Sequence, residues 1–332
     1  MLIAPEVIQP KLIRRSAPSM RECSFGNPPF NVAVLIVKTG TLDAKGGIVM
    51  ADEAMALGVA RGIKKAGGRF VQRVEVTTPS NDNSWADLIV SMHHMASWHE
   101  LKKTQPKKPI WLWVHNPGWS STMRLREEAN TTYQQIFHAG LHLSKRAGFH
   151  YLPCGIEDPE LFKPSISPKR WTVSFIANMR LHREVAPLLK RLQSTLRHVF
   201  IAGAEWGYLG VEAAGPIPFN EVGKILAESK ICLDHVSADH VIEGNSSTRI
   251  YQAIACGSPV VSLQRPEAVP ATFRPYVHFV NGQDEAYEAI MRIQGNPIER
   301  AKIRPDKISM RGHTCEDRGR EIWQHISRKV LR

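Results

Sequence analysis

A chain of 332 residues that is 43% apolar has enough material for two ordinary domains, and it contains no run of 18 or more apolar residues that would span a membrane as a helix. Its net charge of +12 is divided evenly, +6 in each half, which excludes a basic tail on a neutral domain and favours an anionic partner. Five scattered cysteines (Cys23, Cys154, Cys232, Cys256 and Cys315) form no Cys-x-x-Cys pair, and the Met1–Glu6 start lacks the pattern of a secretory leader, so a reducing, cytoplasmic setting is expected over a disulfide scaffold.

Residues 1–30 hold five prolines and no periodicity, and read as an irregular lead-in. Asn31–Val37 is a continuous apolar strand of the kind buried in a parallel sheet. The loop after it, Lys38–Gly47, carries Gly40, Asp43, Gly46 and Gly47 but fits neither Gly-x-Gly-x-x-Gly nor a P-loop. A helix is predicted over Met50–Ala66, with Ala54, Leu57, Ala60 and Ile63 on one face, stopped by Gly67-Gly68. Strands follow at Val71–Thr77, Ala86–Ser91 and Pro109–Val114, with a helix near 96–104 before the third. Two of these strands run into histidine, at His93-His94 and at His115, and ligands of parallel sheets bind outside the carboxyl ends of strands. Such a histidine holds an acceptor hydroxyl, steadies a sugar or serves as a base. His93 and His94 point to opposite sides if both stay extended, so one of them serves at most. The alternatives are a structural, hydrogen-bonded histidine and a metal ligand; the i, i+4 spacing of a zinc helix is missing. A helix is expected from Ser120 to Gln135, then short strands at 136–138 and 150–155 around a small helix. Pro159 and Pro164 mark a stiff connection. The expected domains are therefore 1–160, 165–312, and a final segment 313–332 that packs back on the first.

The second half opens with a strand at Trp171–Ala177, followed by Asn178, Arg180 and Arg183. A helix at Val185–Leu196, a strand at His198–Ala202 and a helix at Phe219–Lys230 lead to a strand at Ile231–Val236. A polar loop then ends in Gly244-Asn245-Ser246-Ser247-Thr248, ahead of a helix over Ser247–Ala255. Gly257 and Pro259 stop that helix, and Val260–Leu263 is the next strand. Unpaired N–H groups at such a helix mouth form an anion site, with Arg249 adding a fixed charge and Thr248 and Gln252 sharing a face. The plain alternative is a well-capped helix of an ordinary α/β domain. A strand at Tyr276–Val280, a helix at Asp284–Gln294 and a last helix at Cys315–Val330 complete the chain. Basic clusters recur at Arg61–Arg69, Lys102–Lys108 and Lys145-Arg146, and read either as a nucleic-acid footprint or as a solvated surface.

The run Gln252-Ala-Ile-Ala-Cys-Gly-Ser-Pro-Val-Val261 resembles the donor-binding motif of GT-B glycosyltransferases, with Gln252 in place of the usual glutamate and Glu243 one residue further off than the common upstream spacing. Arg249, three before Gln252, and the Asn178–Arg183 turn are closer to the CgeB-like branch; Asp158, Phe162 and Pro164 match that family's linker. The resemblance covers most of residues 31–325. It implies an α/β fold of two Rossmann-like domains facing each other across a cleft. It implies a nucleotide-sugar donor, most simply a UDP-sugar, gripped by Asn178, Arg180, Arg183, Gly244, Asn245, Ser246, Ser247, Thr248, Arg249 and Gln252, with no metal required. The acceptor half would bring Gly40, Gly46, Gly47 and Trp119, with Glu243 beside the substrate and His93, His94, His115 and Asp43 as catalytic candidates. The even positive charge makes DNA the preferred acceptor, through a hydroxymethylated base flipped into the cleft, as in phage DNA-modifying glycosyltransferases. The alternatives are a surface-glycan or lipid-linked acceptor, and a non-catalytic nucleic-acid-binding protein on the same scaffold.

Overall fold

Two parallel sheets, each covered by helices, account for the described chain. The computed structural model describes residues 29–36, 51–92, 108–115, 133–301 and 309–330. The first sheet is built from β1 (Phe30–Leu35), β2 (Val71–Thr77), β3 (Leu88–Ser91), β4 (Ile110–Val114), β5 (Gln135–His138) and β6 (His150–Tyr151) in the order β2-β1-β3-β4-β5-β6. All its pairings are parallel. Its inner strands are apolar at nearly every position because helices and loops cover both faces; edge strand β2 exposes Gln72, Arg73 and Glu75. The second sheet contains β7 (Val173–Ile176), β8 (Val199–Ala202), β9 (Cys232–Asp234), β10 (Val260–Ser262) and β11 (Val277–Phe279), ordered β11-β10-β9-β7-β8 and again parallel.

Strand order reverses between β1 and β3 in the first sheet and between β7 and β9 in the second. A reversal of this kind is where open parallel sheets place a ligand crevice, outside the carboxyl ends of the strands. The loops leaving β1 and β3 carry Gly40, Asp43, Gly46, Gly47, His93 and His94, and these residues lie outside the described residues, as do Trp119 and the helices expected near 96–104 and from Ser120.

The helices are α1 (Ala51–Gly67), α2 (Leu141–Ala147), α3 (Ala186–Thr195), α4 (Phe219–Ala227), α5 (Ala238–Glu243), α6 (Thr248–Ala255), α7 (Gln283–Gly295), α8 (Pro297–Arg300) and α9 (Cys315–Val330). Helix α5 falls where the sequence reads as a polar loop. Gly244 closes it at φ +67, returning its N–H to Val241 while Asn245 N–H bonds the His240 carbonyl. Six residues of mixed polarity show no helical stripe, so the helix owes its existence to docking on α2.

The chain passes between the two sheets twice, side by side. Ile156 N–H donates to His313 O and Cys315 N–H to Ile156 O, so the outgoing and returning strands pair. Helix α9 then packs back on α1 of the first sheet. The approach is close: a Cβ on Gly62 would lie 2.0 Å from Glu316 O, and one on Gly319 would lie 2.1 Å from Val59 O. Phe162 meets Phe219 edge-on, and Ala54, Ile156 and Phe162 join the second sheet's apolar cluster, so the halves share a core.

In a helix interior, Gly→Ala normally gains about 0.5–1 kcal/mol. Gly62→Ala is expected to reverse that sign and cost about 1–3 kcal/mol in urea denaturation, because the added methyl meets backbone. Gly295→Ala, with open space around it, is the control and should be neutral or stabilising.

Candidate functional site

At the carboxyl edge of the first sheet, β4 delivers His115. Its Nε2 lies 3.4 Å from Asp52 Oδ1, in the first turn of α1. Trp113 packs against the ring, and the His115 carbonyl accepts from Asn245 Nδ2 at 3.2 Å, a bond across the seam between the two halves. Strand β5 delivers His138, fully buried. Its Nδ1 accepts the Gly140 N–H at 2.8 Å, which leaves Nε2 facing Glu243 Oε2 at 3.6 Å. Leu141 N–H donates to Gly244 O, and His142 covers Gly244 so closely that a Cβ there would come within 2.8 Å of the ring. Glu243, expected beside the substrate, is 1% exposed and sealed in this seam. Helix α5 ends on it and turns it towards the first sheet.

At the second sheet's reversal, β7 leads into Asn178–Val185. Asn178 Oδ1 accepts the Ala204 N–H at 2.8 Å and so fixes the loop after β8. Arg180 and Arg183 are exposed, and their side chains make no ion pair or hydrogen bond with other described residues. Strand β9 ends in Asp234-His235. Asp234 is buried and accepts from Arg249 Nε at 3.3 Å, Ser262 Oγ at 2.8 Å and Gln264 Nε2 at 2.7 Å. Arg249 also donates to the carbonyls of Ile176 and His235, so its guanidinium is tied to the ends of β7 and β9. The fixed charge that the sequence suggested at Arg249 is thus held in place by three hydrogen bonds.

Ser247 caps α6, its Oγ accepting the Arg249 N–H at 3.2 Å. Asn245 Oδ1 and Ser246 Oγ are buried without a hydrogen bond of standard geometry, and no described residue accepts from the N–H groups of Ser246, Ser247 and Thr248. The N–H groups among these, at the amino end of α6, are donors of the kind an anion accepts from. Gln252 is turned away from that mouth. It is 5% exposed, and its Nε2 donates to both carboxylate oxygens of Glu157, at 2.9 and 3.0 Å. A ribose contact at Gln252 therefore requires this pair to open. Burial, with the Asp52 charge adding to it, pushes Glu157 up to about 7 against the opposing hydrogen bond from Gln252.

Three histidines gather around Arg249. His182 and His235 meet Nδ1 to Nδ1 at 2.9 Å, His235 Nε2 lies 3.3 Å from Glu184, and His240 Nδ1 lies 2.8 Å from Ser237 Oγ. Burial first, then the Arg249 charge and the neighbouring rings, hold His182 down to about 2 and His240 down to about 4. His182, His235, His138, Asp234, Asp52 and Glu157 are absent from the candidates read from sequence. The rule applied to His115, a polar residue at a strand's carboxyl end, also picks out His138 and Asp234-His235. Nothing local marks Asp52 or Glu157.

The glycosyl transferase-like family model matches residues 182–324, which takes in Asp234, Arg249, α6 and the first part of α9. No curated protein matches the chain in sequence. Among solved structures, T4 phage β-glucosyltransferase superposes at a TM-score of 0.55 with 13% identity, over 90% of this chain and 99% of that one. An α-glucosyltransferase in complex with UDP gives 0.59 at 9% identity, over 89% and 100%. The UDP-GlcNAc 2-epimerase of Neisseria meningitidis gives 0.54 at 12%, over 90% and 100%. The two facing parallel sheets are thus the α/β GT-B arrangement, while identities this low leave chemistry to be argued from the site.

Glu157 gives a stability test. Its folded-state value lies above the usual carboxylate range, so between about pH 4.5 and 7 the native state holds more protons than the unfolded chain and stability falls as pH rises. Glu157→Gln removes that dependence. Relative to the parent it should gain stability above pH 7, by at most about 3 kcal/mol, with the gap closing by pH 5 in denaturant titrations.

Proposed function

We propose that this protein transfers a sugar from a UDP-sugar to a hydroxyl group, and that the hydroxyl belongs to a modified base in DNA. One observation carries the donor half of this reading. The stretch matched by the glycosyl transferase-like model contains β9, Arg183, Arg249 and the amino end of α6, whose N–H groups at 246–248 have no acceptor among the described residues; β7 and Arg180, just before that stretch, complete the crevice at the sheet reversal. A departing diphosphate needs this kind of charge, and fixed dipoles supply it without reorganisation. Arg180 and Arg183 reach the phosphates, the Asn245–Thr248 backbone cradles them, and Arg249 sets the field from behind.

On the facing side, His115 takes the acceptor's proton. Asp52 orients the ring through Nε2 and balances the charge that the captured proton brings. The His115 carbonyl bonded to Asn245 holds this base against the donor loop, so both reactants are positioned by one contact. The acceptor half rests on the +12 charge and on company. One similar structure is described as a DNA-modifying β-glucosyltransferase, and another holds an α-glucosyltransferase with UDP and a 13-mer DNA. The epimerase of the same fold binds UDP-GlcNAc, so the argument for transfer comes from the His115–Asp52 pair, which an acceptor hydroxyl uses. A second reading, a nucleic-acid-binding protein without catalysis, is favoured by Gln252 being held by Glu157 away from the mouth. It requires DNA binding without any stabilisation by UDP.

The test is incubation with labelled UDP-glucose and duplexes with or without a hydroxymethylated base. Label is expected only in the modified duplex; UDP release that requires neither duplex, or none at all, would sink the DNA assignment. DNA affinity should fall steeply with salt, by about one tenfold factor per tenfold rise in salt for each phosphate neutralised. His115→Gln should lower turnover by about 10²–10⁴ with UDP affinity little changed. Arg180→Ala and Arg183→Ala should each weaken UDP binding by roughly tenfold or more without altering the fold.

A further inference from the structure

The His182–His235 contact has no role in the scheme above. The two rings stand nearly perpendicular, their centroids 5.2 Å apart, with Nδ1 facing Nδ1 at 2.9 Å. Two nitrogens at that distance share one proton: one donates and the other accepts. Glu184 Oε1, 3.3 Å from His235 Nε2, assigns the roles. His235 donates from Nε2 to the carboxylate, so its Nδ1 accepts, and His182 Nδ1–H donates to it. His182 Nε2 is the remaining ring nitrogen and bonds nothing among the described residues. A proton added there gives an imidazolium whose Nδ1–H still donates to His235, which is in turn held by Glu184.

The surroundings decide when that happens. Phe175 packs edge-on against His182 from β7. Arg249 opposes protonation from α6, His240 from α5, and Asp234 at the end of β9 accepts from Arg249, Ser262 and Gln264. Glu184, half-exposed, and Asp234 pull the other way on His235, and burial outweighs both. The free site therefore keeps the pair neutral, with His182 held down by burial and by Arg249. The three histidines do not converge on a point that would hold a metal ion among the described residues. An anion over Arg249 cancels the main opposing charge and adds its own attraction.

We propose that His182 and His235 are a proton-loading pair of the donor site: an arriving nucleoside diphosphate draws one proton from solvent onto His182 Nε2, and His235, held by Glu184, accepts the hydrogen bond from His182 Nδ1–H that keeps the imidazolium in place. The proton comes from the medium and leaves with the product, so no bond of the donor is consumed. The site then meets the leaving diphosphate with one more positive charge than it holds when empty. His182 is the residue carrying that charge; His235 and Glu184 position it. This rests on the donor reading above.

Calorimetric titration with UDP, run at one pH in two buffers of different ionisation enthalpy, counts protons taken up on binding. Wild-type protein is expected to take up protons on binding UDP, with the uptake and the affinity both rising as pH is lowered from neutral. His182→Gln and His235→Gln should bind UDP more weakly and lose most of the uptake. Glu184→Gln should keep it but move it to lower pH. UDP's own ionisation near pH 6 is common to all four proteins, so the difference between them reports the pair. UDP binding with no uptake by the wild type, or with equal uptake by wild type and His182→Gln, overturns the inference while leaving the donor reading intact. Absence of UDP binding in the wild type removes the donor reading itself, and the pair's role with it.

Discussion

One charge pair organises the second half of the molecule. Asp234, buried at the end of β9, is met by the Arg249 guanidinium, and the same guanidinium bonds the last carbonyl of β7 and that of His235. Asp234 also receives Ser262 and Gln264 from β10 and the turn after it. Three strand ends and one helix are thus joined through two side chains. Removing either partner would strand a charge in the interior, a loss of about 3–5 kcal/mol in comparable pairs. The arrangement also ties the Arg249 guanidinium down, whereas the side chains of Arg180 and Arg183 have no hydrogen bond or ion pair among the described residues.

The first half depends on the second for its geometry. Two chain crossings pair at Ile156 and Thr314, and α9 lies on α1 through glycines that admit no side chain. Further along the seam, His138 faces Glu243, Leu141 N–H reaches Gly244 O, and Asn245 holds the His115 carbonyl. The loop that opens α6 is therefore fixed from both sides: from below by its own sheet, from across by the carboxyl edge of the other. That is how a loop so rich in Gly, Asn and Ser keeps several polar groups aimed and unpaired.

The elements were legible wherever one physical signal dominated. Apolar runs gave β1, β3, β4 and β7 within one or two residues, and Gly257-Ser258-Pro259 gave the end of α6. Cys315–Val330 has a periodic face, and its helix has the bounds the sequence suggests. Helix α5 was not legible, because its stability lies in contact with α2, a partner about a hundred residues away. The site was legible in part. Helix-mouth chemistry picks out Asn245–Ser247, where the structure has buried unsatisfied polar atoms. The environments of Arg249, Gln252 and Glu243 were not, since each is decided by a residue distant in sequence: Asp234, Glu157 and His138. Sequence spacing reports which side chains share a helix face, and it is silent on which carboxylate waits opposite.

The exchange at Gln252 illustrates this. The resemblance to GT-B donor motifs expects a carboxylate on that helix, and here an amide occupies the position while a carboxylate, Glu157, sits opposite it on the linker. The negative charge has moved from the helix to the segment that joins the halves. There it is buried, and it lies in the field of Asp52, the partner of His115. With its proton affinity pushed up to about 7, Glu157 is partly neutral at physiological pH, which relieves repulsion between the two carboxylates. A change in the Gln252–Glu157 distance changes the charge next to Asp52. The line Gln252, Glu157, Asp52, His115 is then a physical connection from α6 to the carboxyl edge of the first sheet, made of contacts and charges, with the linker as its middle term.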